Sequence, residues 1–218
     1  MNMKRIFTWG GFIVVIGLIV WGMVAASNKA ERESAGVAAV DQVTDTDWVK
    51  GAATSSLVTI IEYSDFQCPA CAAYFPVMEK LVAENPFVRF VYRHFPLPQH
   101  GNAIPASEAA EAAGNQGKFW EMYGMIFETQ TEWESVTDIK PVFSGYAKKL
   151  GLDMAKYAED VDSKEVSDAI DADIKSGLKA GINSTPTFYV NGKKISNPQG
   201  YEEFKKIIDD AAAAATNS

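Results

Sequence analysis

The chain has two cysteines, Cys68 and Cys71, separated only by Pro69 and Ala70. Two cysteines cannot staple a scaffold, and a chain of 218 residues does not need one. A lone close pair is instead a redox or metal signal. If Cys68 caps a helix, Pro69 falls at the first helical position, where its missing N–H costs nothing. Cys68 then faces the orphan amides and the positive end of the helix dipole, and both favour thiolate over thiol. An unperturbed cysteine titrates at about 8.5; such settings bring it to roughly 3.5–7.5. Cys71 lies one helical turn further along the same face, close enough to form and break a disulfide with Cys68. The arrangement predicts Cys68 as the exposed nucleophile and Cys71 as the buried resolving thiol.

The elements that must hold this pair are readable around it. Val58, Thr59, Ile60 and Ile61 form a β-branched apolar run that predicts a buried strand over about Val58–Tyr63. A polar bend follows at Ser64 and Asp65. An apolar, helix-compatible run then predicts a helix over about Pro69–Glu84, ended by Asn85-Pro86, since a residue before proline avoids helical backbone. Val88–Tyr92 reads as the next strand. Strand, helix, strand with a helical crossover implies a parallel pair.

Here the chain resembles the DsbA-like thiol–disulfide oxidoreductases of the thioredoxin superfamily. Glu62 lies six residues before Cys68, where these proteins place a buried acidic residue, and Pro76 lies five after Cys71, where they kink the active-site helix. Thr185-Pro186, ahead of a predicted strand, resembles their cis-proline loop. The resemblance runs from about Asp47 to the C-terminus. It implies an α/β thioredoxin fold with an inserted helical subdomain. It also implies that Thr185 and Pro186 face the cysteines and offer backbone to an extended substrate. Glu62 would have its pKa raised by burial and relay a proton for Cys71. The plainer readings are a solvent-facing Glu62 and an ordinary trans proline that starts a strand. No prosthetic group is implied beyond the Cys68–Cys71 disulfide, and no metal. The strongest oxidants of the family carry histidine between the cysteines; Ala70 offers the thiolate neither charge nor hydrogen bond, which implies a milder potential.

Composition bounds the setting. The chain is 47% hydrophobic and 22% charged, enough for one domain with a substantial core. A formal charge of −8 gives nucleic-acid binding no electrostatic support. Lys4 and Arg5 precede an apolar, charge-free segment over 6–26, with Trp9 and Trp21 near its ends. That length suits a bilayer, and the basic pair orients the remainder outside the cytoplasm. The segment is expected to be an uncleaved transmembrane anchor, because its apolar run exceeds the usual core of a signal peptide; Val24-Ala25-Ala26 keeps a cleaved signal peptide as the alternative. Residues 1–5 are then a cytoplasmic stub and 27–46, polar and without periodicity, a flexible linker.

The folded domain is expected over 47–218, with the helical insertion over about 102–180. Within it, Ala103–Ala113, Lys118–Phe127 and Pro141–Leu150 read as helices. Asp153 and Ser163 read as caps of two more, and in the second Val166, Ile170, Ile174 and Leu178 recur every four residues. Phe188–Val190 and Lys193–Ile195 flank Asn191-Gly192, the strongest short hairpin signal. Tyr201–Ala215 predicts a closing helix, with Phe204, Ile207 and Ile208 inward and a fraying alanine-rich tail. Trp120, Tyr123 and Phe127 read as core, and Asp65 as a turn residue.

The function this reading implies is a membrane-tethered, extracytoplasmic oxidoreductase that introduces disulfides into exported proteins with free cysteines, reoxidised by a membrane quinone-linked thiol oxidase. An extracytoplasmic reductase or isomerase is the alternative. A zinc-binding module without catalysis is a third reading, since Cys68-x2-Cys71 and His94-x5-His100 loosely match a two-cysteine, two-histidine site. Against it, a helix and a strand separate the two halves.

Overall fold

The β-branched residues after Leu57 do form the central strand. In a computed structural model, which describes residues 40–52 and 56–216, β2 (Val58–Ser64) is buried at every position but Thr59. It pairs in parallel with β3 (Val88–His94), from Val58↔Val88 to Ser64↔His94. Between the two runs α1 (Pro69–Glu84), so the crossover lies where the sequence predicts it. On the other side β2 pairs antiparallel with β4 (Thr187–Val190), which turns through Asn191 and Gly192 into β5 (Lys193–Lys194). Both turn residues have positive φ, +47° and +77°, the backbone a two-residue I′ turn requires.

A fifth strand, β1 (Trp48–Gly51), lies just after the expected start of the domain at Asp47. It lies antiparallel to β3, giving the order β1-β3-β2-β4-β5. Four residues without apolar alternation carry no strand pattern. Its strand state comes from pairing with the edge of β3.

Side chains alternate across the sheet. Val58, Ile60, Val88, Phe90, Phe188 and Val190 face α1, α8 and the aromatic helices, while Ile61, Tyr63, Val91 and Tyr189 face Phe95 and Ile182. The closing helix α8 (Tyr201–Thr216) buries Phe204 and Ile208, with Ile207 partly buried. It continues helically through the alanine run to Thr216, as the high helix propensity of alanine allows.

Between β3 and β4 come α2 (Ala103–Gly114), α3 (Phe119–Glu128), α4 (Gln130–Trp133), α5 (Lys140–Lys149), α6 (Met154–Asp160) and α7 (Lys164–Lys179). Asp153 accepts from the N–H of Ala155 and Lys156, and Ser163 from that of Val166, the two caps legible in the sequence. The four-residue stripe of α7 is only half right. Val166 and Ile170 are buried, whereas Leu178 is 62% exposed. Each four-residue step overshoots a full turn by about 40°, so the third step has left the core face. Gly177 takes that place, because α7 runs so close to the sheet that a Cβ there would lie 2.6 Å from Phe95.

Residues 40–46, the end of the expected linker, are docked on the domain. Arg93 donates to both carboxylate oxygens of Asp47, to the carbonyls of Asp41 and Gln42, and to Tyr63 Oη, using all five of its N–H groups. Among the described residues no helix is long and apolar enough to cross a membrane. The expected span over 6–26 lies outside the described residues.

Candidate active site

β2 ends in a turn that aims α1 at the sheet. Asp65 Oδ1 accepts from Gln67 N at 2.7 Å, and the Asp65 carbonyl accepts from Cys68 N at 3.0 Å. The other Asp65 oxygen accepts from Leu97 N at 2.8 Å and bonds His100 Nδ1 at 2.7 Å, tying this turn to the one after β3. Cys68 then sits at the N-cap with extended backbone (φ −76°, ψ 121°), and Pro69 opens the helix. Pro69 and Ala70 are exposed. Cys71 faces the core.

Both sulfurs are free thiols. Cys68 is not the exposed residue that spacing alone predicts: it is 6% exposed, against 1% for Cys71. The loop before β4 reaches the Cys68 sulfur. The Thr185-Pro186 peptide bond is cis, and the Cys68 thiol donates to the Thr185 carbonyl at 3.5 Å. Thr185 Oγ1 is itself buried without a partner of hydrogen-bonding geometry. It is a donor held in reserve for the sulfur once the thiol proton is gone.

The two cysteines are driven apart in acidity. Cys68 is lowered from 9.0 to about 5. The Cys71 thiol hydrogen-bonding to it is the largest cause; burial opposes, and the Thr185 side chain and the backbone N–H groups of Cys71 and Ala70 add to the lowering. The helix-end amides therefore contribute as expected, but the partner thiol contributes more. Cys71 is pushed well above the usual thiol range, first by burial and then by Cys68 and the nearby Glu62. At neutral pH the pair is one thiolate and one thiol.

Glu62 lies beneath them, 2% exposed. Burial raises its pKa to about 8, against the lowering effect of Ser64, and the charge of Cys68 raises it further. Ser64 Oγ donates to Glu62 Oε1 at 2.7 Å. The same hydroxyl eases ionisation of Cys71, so Ser64 stands between carboxyl and thiol. The sequence shows it only as part of a polar bend; its position two residues after Glu62 on one strand, hence on the same face, was the available signal.

A sequence model of the family described as Thioredoxin matches residues 44–210. The chain belongs to the thioredoxin family. Three solved structures share its fold: a thioredoxin-like oxidoreductase from Silicibacter pomeroyi (26% identity, 80% of this chain and 95% of that one, TM-score 0.64); oxidised BdbD from Bacillus subtilis (25%, 81% and 98%, 0.69); and alpha-DsbA1 from Wolbachia pipientis (19%, 80% and 94%, 0.69). One of these neighbours is by name a thioredoxin-like oxidoreductase and another a DsbA. A curated relative, the Na+/H+ antiporter NhaA 3 of Salinispora tropica, is 34% identical over 172 residues, covering 78% of this chain and 26% of the antiporter. The chain thus spans about a quarter of the length of the curated relatives it matches.

The thioredoxin-family site gathers Cys68, Cys71, Glu62 and Thr185, together with residues that sequence reasoning passed over: Ser64, Gln67, Asn102 and Gln130. It does not gather the histidines. His94 Nε2 bonds Glu111 Oε1 at 2.9 Å, an oxygen that Trp48 Nε1 also reaches, at 2.6 Å, and His100 is held by Asp65. Among the described residues no three His, Cys, Asp or Glu side chains form a group that could hold a metal ion. The two-cysteine, two-histidine zinc reading therefore has no geometry behind it.

Proposed function

We propose that this chain is a membrane-tethered, extracytoplasmic oxidoreductase that donates the Cys68–Cys71 disulfide to exported proteins. The observation that carries the direction is the lowering of the Cys68 pKa to about 5. A stabilised thiolate stabilises the dithiol form and makes the disulfide a stronger oxidant. In the donor reaction a substrate thiolate attacks Cys68 Sγ, the Cys68–Cys71 bond breaks, and Cys71 leaves with the electron pair. Glu62, protonated at neutral pH with its pKa near 8, is the group beneath Cys71 that returns a proton to it. A second substrate thiolate then attacks the substrate sulfur of the mixed disulfide and expels Cys68, a good leaving group because its thiolate is stable. The substrate gains a disulfide and the enzyme ends as the dithiol.

The setting rests on the charge-free apolar segment over 6–26 behind Lys4 and Arg5. Reoxidation is assigned to a membrane quinone-linked thiol oxidase by resemblance to the family. Equilibration with glutathione redox buffers tests the direction. A potential well above that of thioredoxin, about −270 mV, supports the donor; a value at or below it makes the enzyme a reductase.

A further inference from the structure

Gln130 opens the short helix α4 of the insert, and its side chain is buried. Its Nε2 gives both hydrogens to the turn before the active-site helix, one to the Phe66 carbonyl at 2.7 Å and one to the Cys68 carbonyl at 3.1 Å. The Cys68 carbonyl also accepts the first hydrogen bond of α1, from Ala72 N at 3.1 Å. A second bridge runs alongside. Gln67 Nε2 donates to the Glu134 carbonyl at 2.7 Å, and Gln67 Oε1 accepts from Asn102 N at 2.6 Å. Asn102 Nδ2 donates to the Val136 carbonyl at 2.9 Å, closing the bridge on the segment after α4.

Cys68 has no conventional side-chain cap to fix its peptide planes, and Pro69 supplies no N–H. Without Gln130 the Phe66 carbonyl loses this donor and the Cys68 carbonyl keeps only its bond from Ala72 N, in a buried turn where an unpaired carbonyl rotates towards another donor. Such a rotation would take Cys68 out of its N-cap position at the start of α1. An amide suits this task, because it neither titrates nor repels a thiolate.

We propose that Gln130 is a positioning residue for the nucleophile: by pinning the carbonyls of Phe66 and Cys68 it fixes Cys68 at the N-terminus of α1. The helical insert, and not α1 alone, then sets how readily Cys68 ionises. This rests on Cys68 being the attacking cysteine.

The test is made on the full chain with Gln130→Met, which keeps the volume and removes both donors. Thiolate absorbance against pH should show the Cys68 titration moved up by roughly one unit or more. The equilibrium constant with glutathione should shift about tenfold towards the protein disulfide, which is about 30 mV. A purely structural role would lower the melting temperature and leave both readings unchanged, and that result overturns the proposal. Should Gln130→Met not fold, Gln130→Asn, an amide too short to reach both carbonyls, takes its place: a smaller shift in the same direction supports the proposal, and none in a natively melting protein overturns it. The nucleophile assignment is checked separately on the unsubstituted chain. Faster alkylation of Cys71 than of Cys68 there would remove that assignment, whatever the Gln130 variants show.

Discussion

Two residues around the cysteines have opposite demands on the fold, and each can be removed alone. Glu62 is protonated more tightly when folded than when unfolded, with its pKa raised from 4.5 to about 8. Its contribution to stability is therefore fully present below about pH 4.5 and is lost as pH rises through about 8. Its upper bound is on the order of 5 kcal/mol. Glu62→Gln should abolish this loss, so that in the disulfide form the variant gains stability over the parent as pH rises from 5 to 8, read by urea unfolding. Formation of the mixed disulfide should slow in the same variant, because Cys71 loses its proton donor. Thr185→Val makes the complementary case. It removes a buried hydroxyl that has no partner beside the protonated thiol, so the dithiol at pH below 5 should gain about 1–2 kcal/mol. It also removes a donor to the thiolate, so the Cys68 titration should move upwards. A variant less stable at low pH with an unmoved titration would show that the hydroxyl has another role.

What was legible in the sequence at the scale of elements is what local chemistry decides. The Cys68 cap with Pro69, the caps at Asp153 and Ser163, and the Asn191-Gly192 turn each involve residues a few positions apart, and each was found. Strand β1, the docking of residues 40–46 by Arg93, and the grip of Gln130 on the active-site turn were not. Each depends on groups dozens of residues away, and no periodicity announces them. Helix α7 lies between these cases, since its apolar spacing is real but its face is set by the close approach at Gly177. That difference is measurable. Ile170, 3% exposed, should cost about 2–4 kcal/mol when replaced by alanine, while Leu178→Ser should stay within about 0.5 kcal/mol. Equal losses at the two positions, in denaturant titrations, would mean that α7 sits in a different register.

For the molecule as a whole, redox state and folding stability are one equilibrium seen from two sides. The Cys68 pKa falls from 9.0 to about 5 on folding of the dithiol, and the disulfide has no such group to ionise. A lowered pKa contributes stability that is fully present above the unfolded value and is lost as pH falls through the folded one. The dithiol form should therefore gain on the disulfide form between about pH 5 and pH 9. Solvent screening at the helix end trims the gain, leaving on the order of 1–3 kcal/mol near neutral pH. Glu62 acts in both redox forms, because burial is the largest cause of its shift, and it largely cancels when the two forms are compared at one pH. Melting both forms across this range gives the test. The dithiol advantage should be smallest near pH 5, grow steadily to about pH 9, and disappear in a Cys68→Ser, Cys71→Ser pair compared under the same reducing and oxidising buffers. An advantage independent of pH would place the oxidising power in strain or packing of the disulfide form. It would no longer lie in the Cys68 thiolate, and the donor reading would lose the observation that carries it.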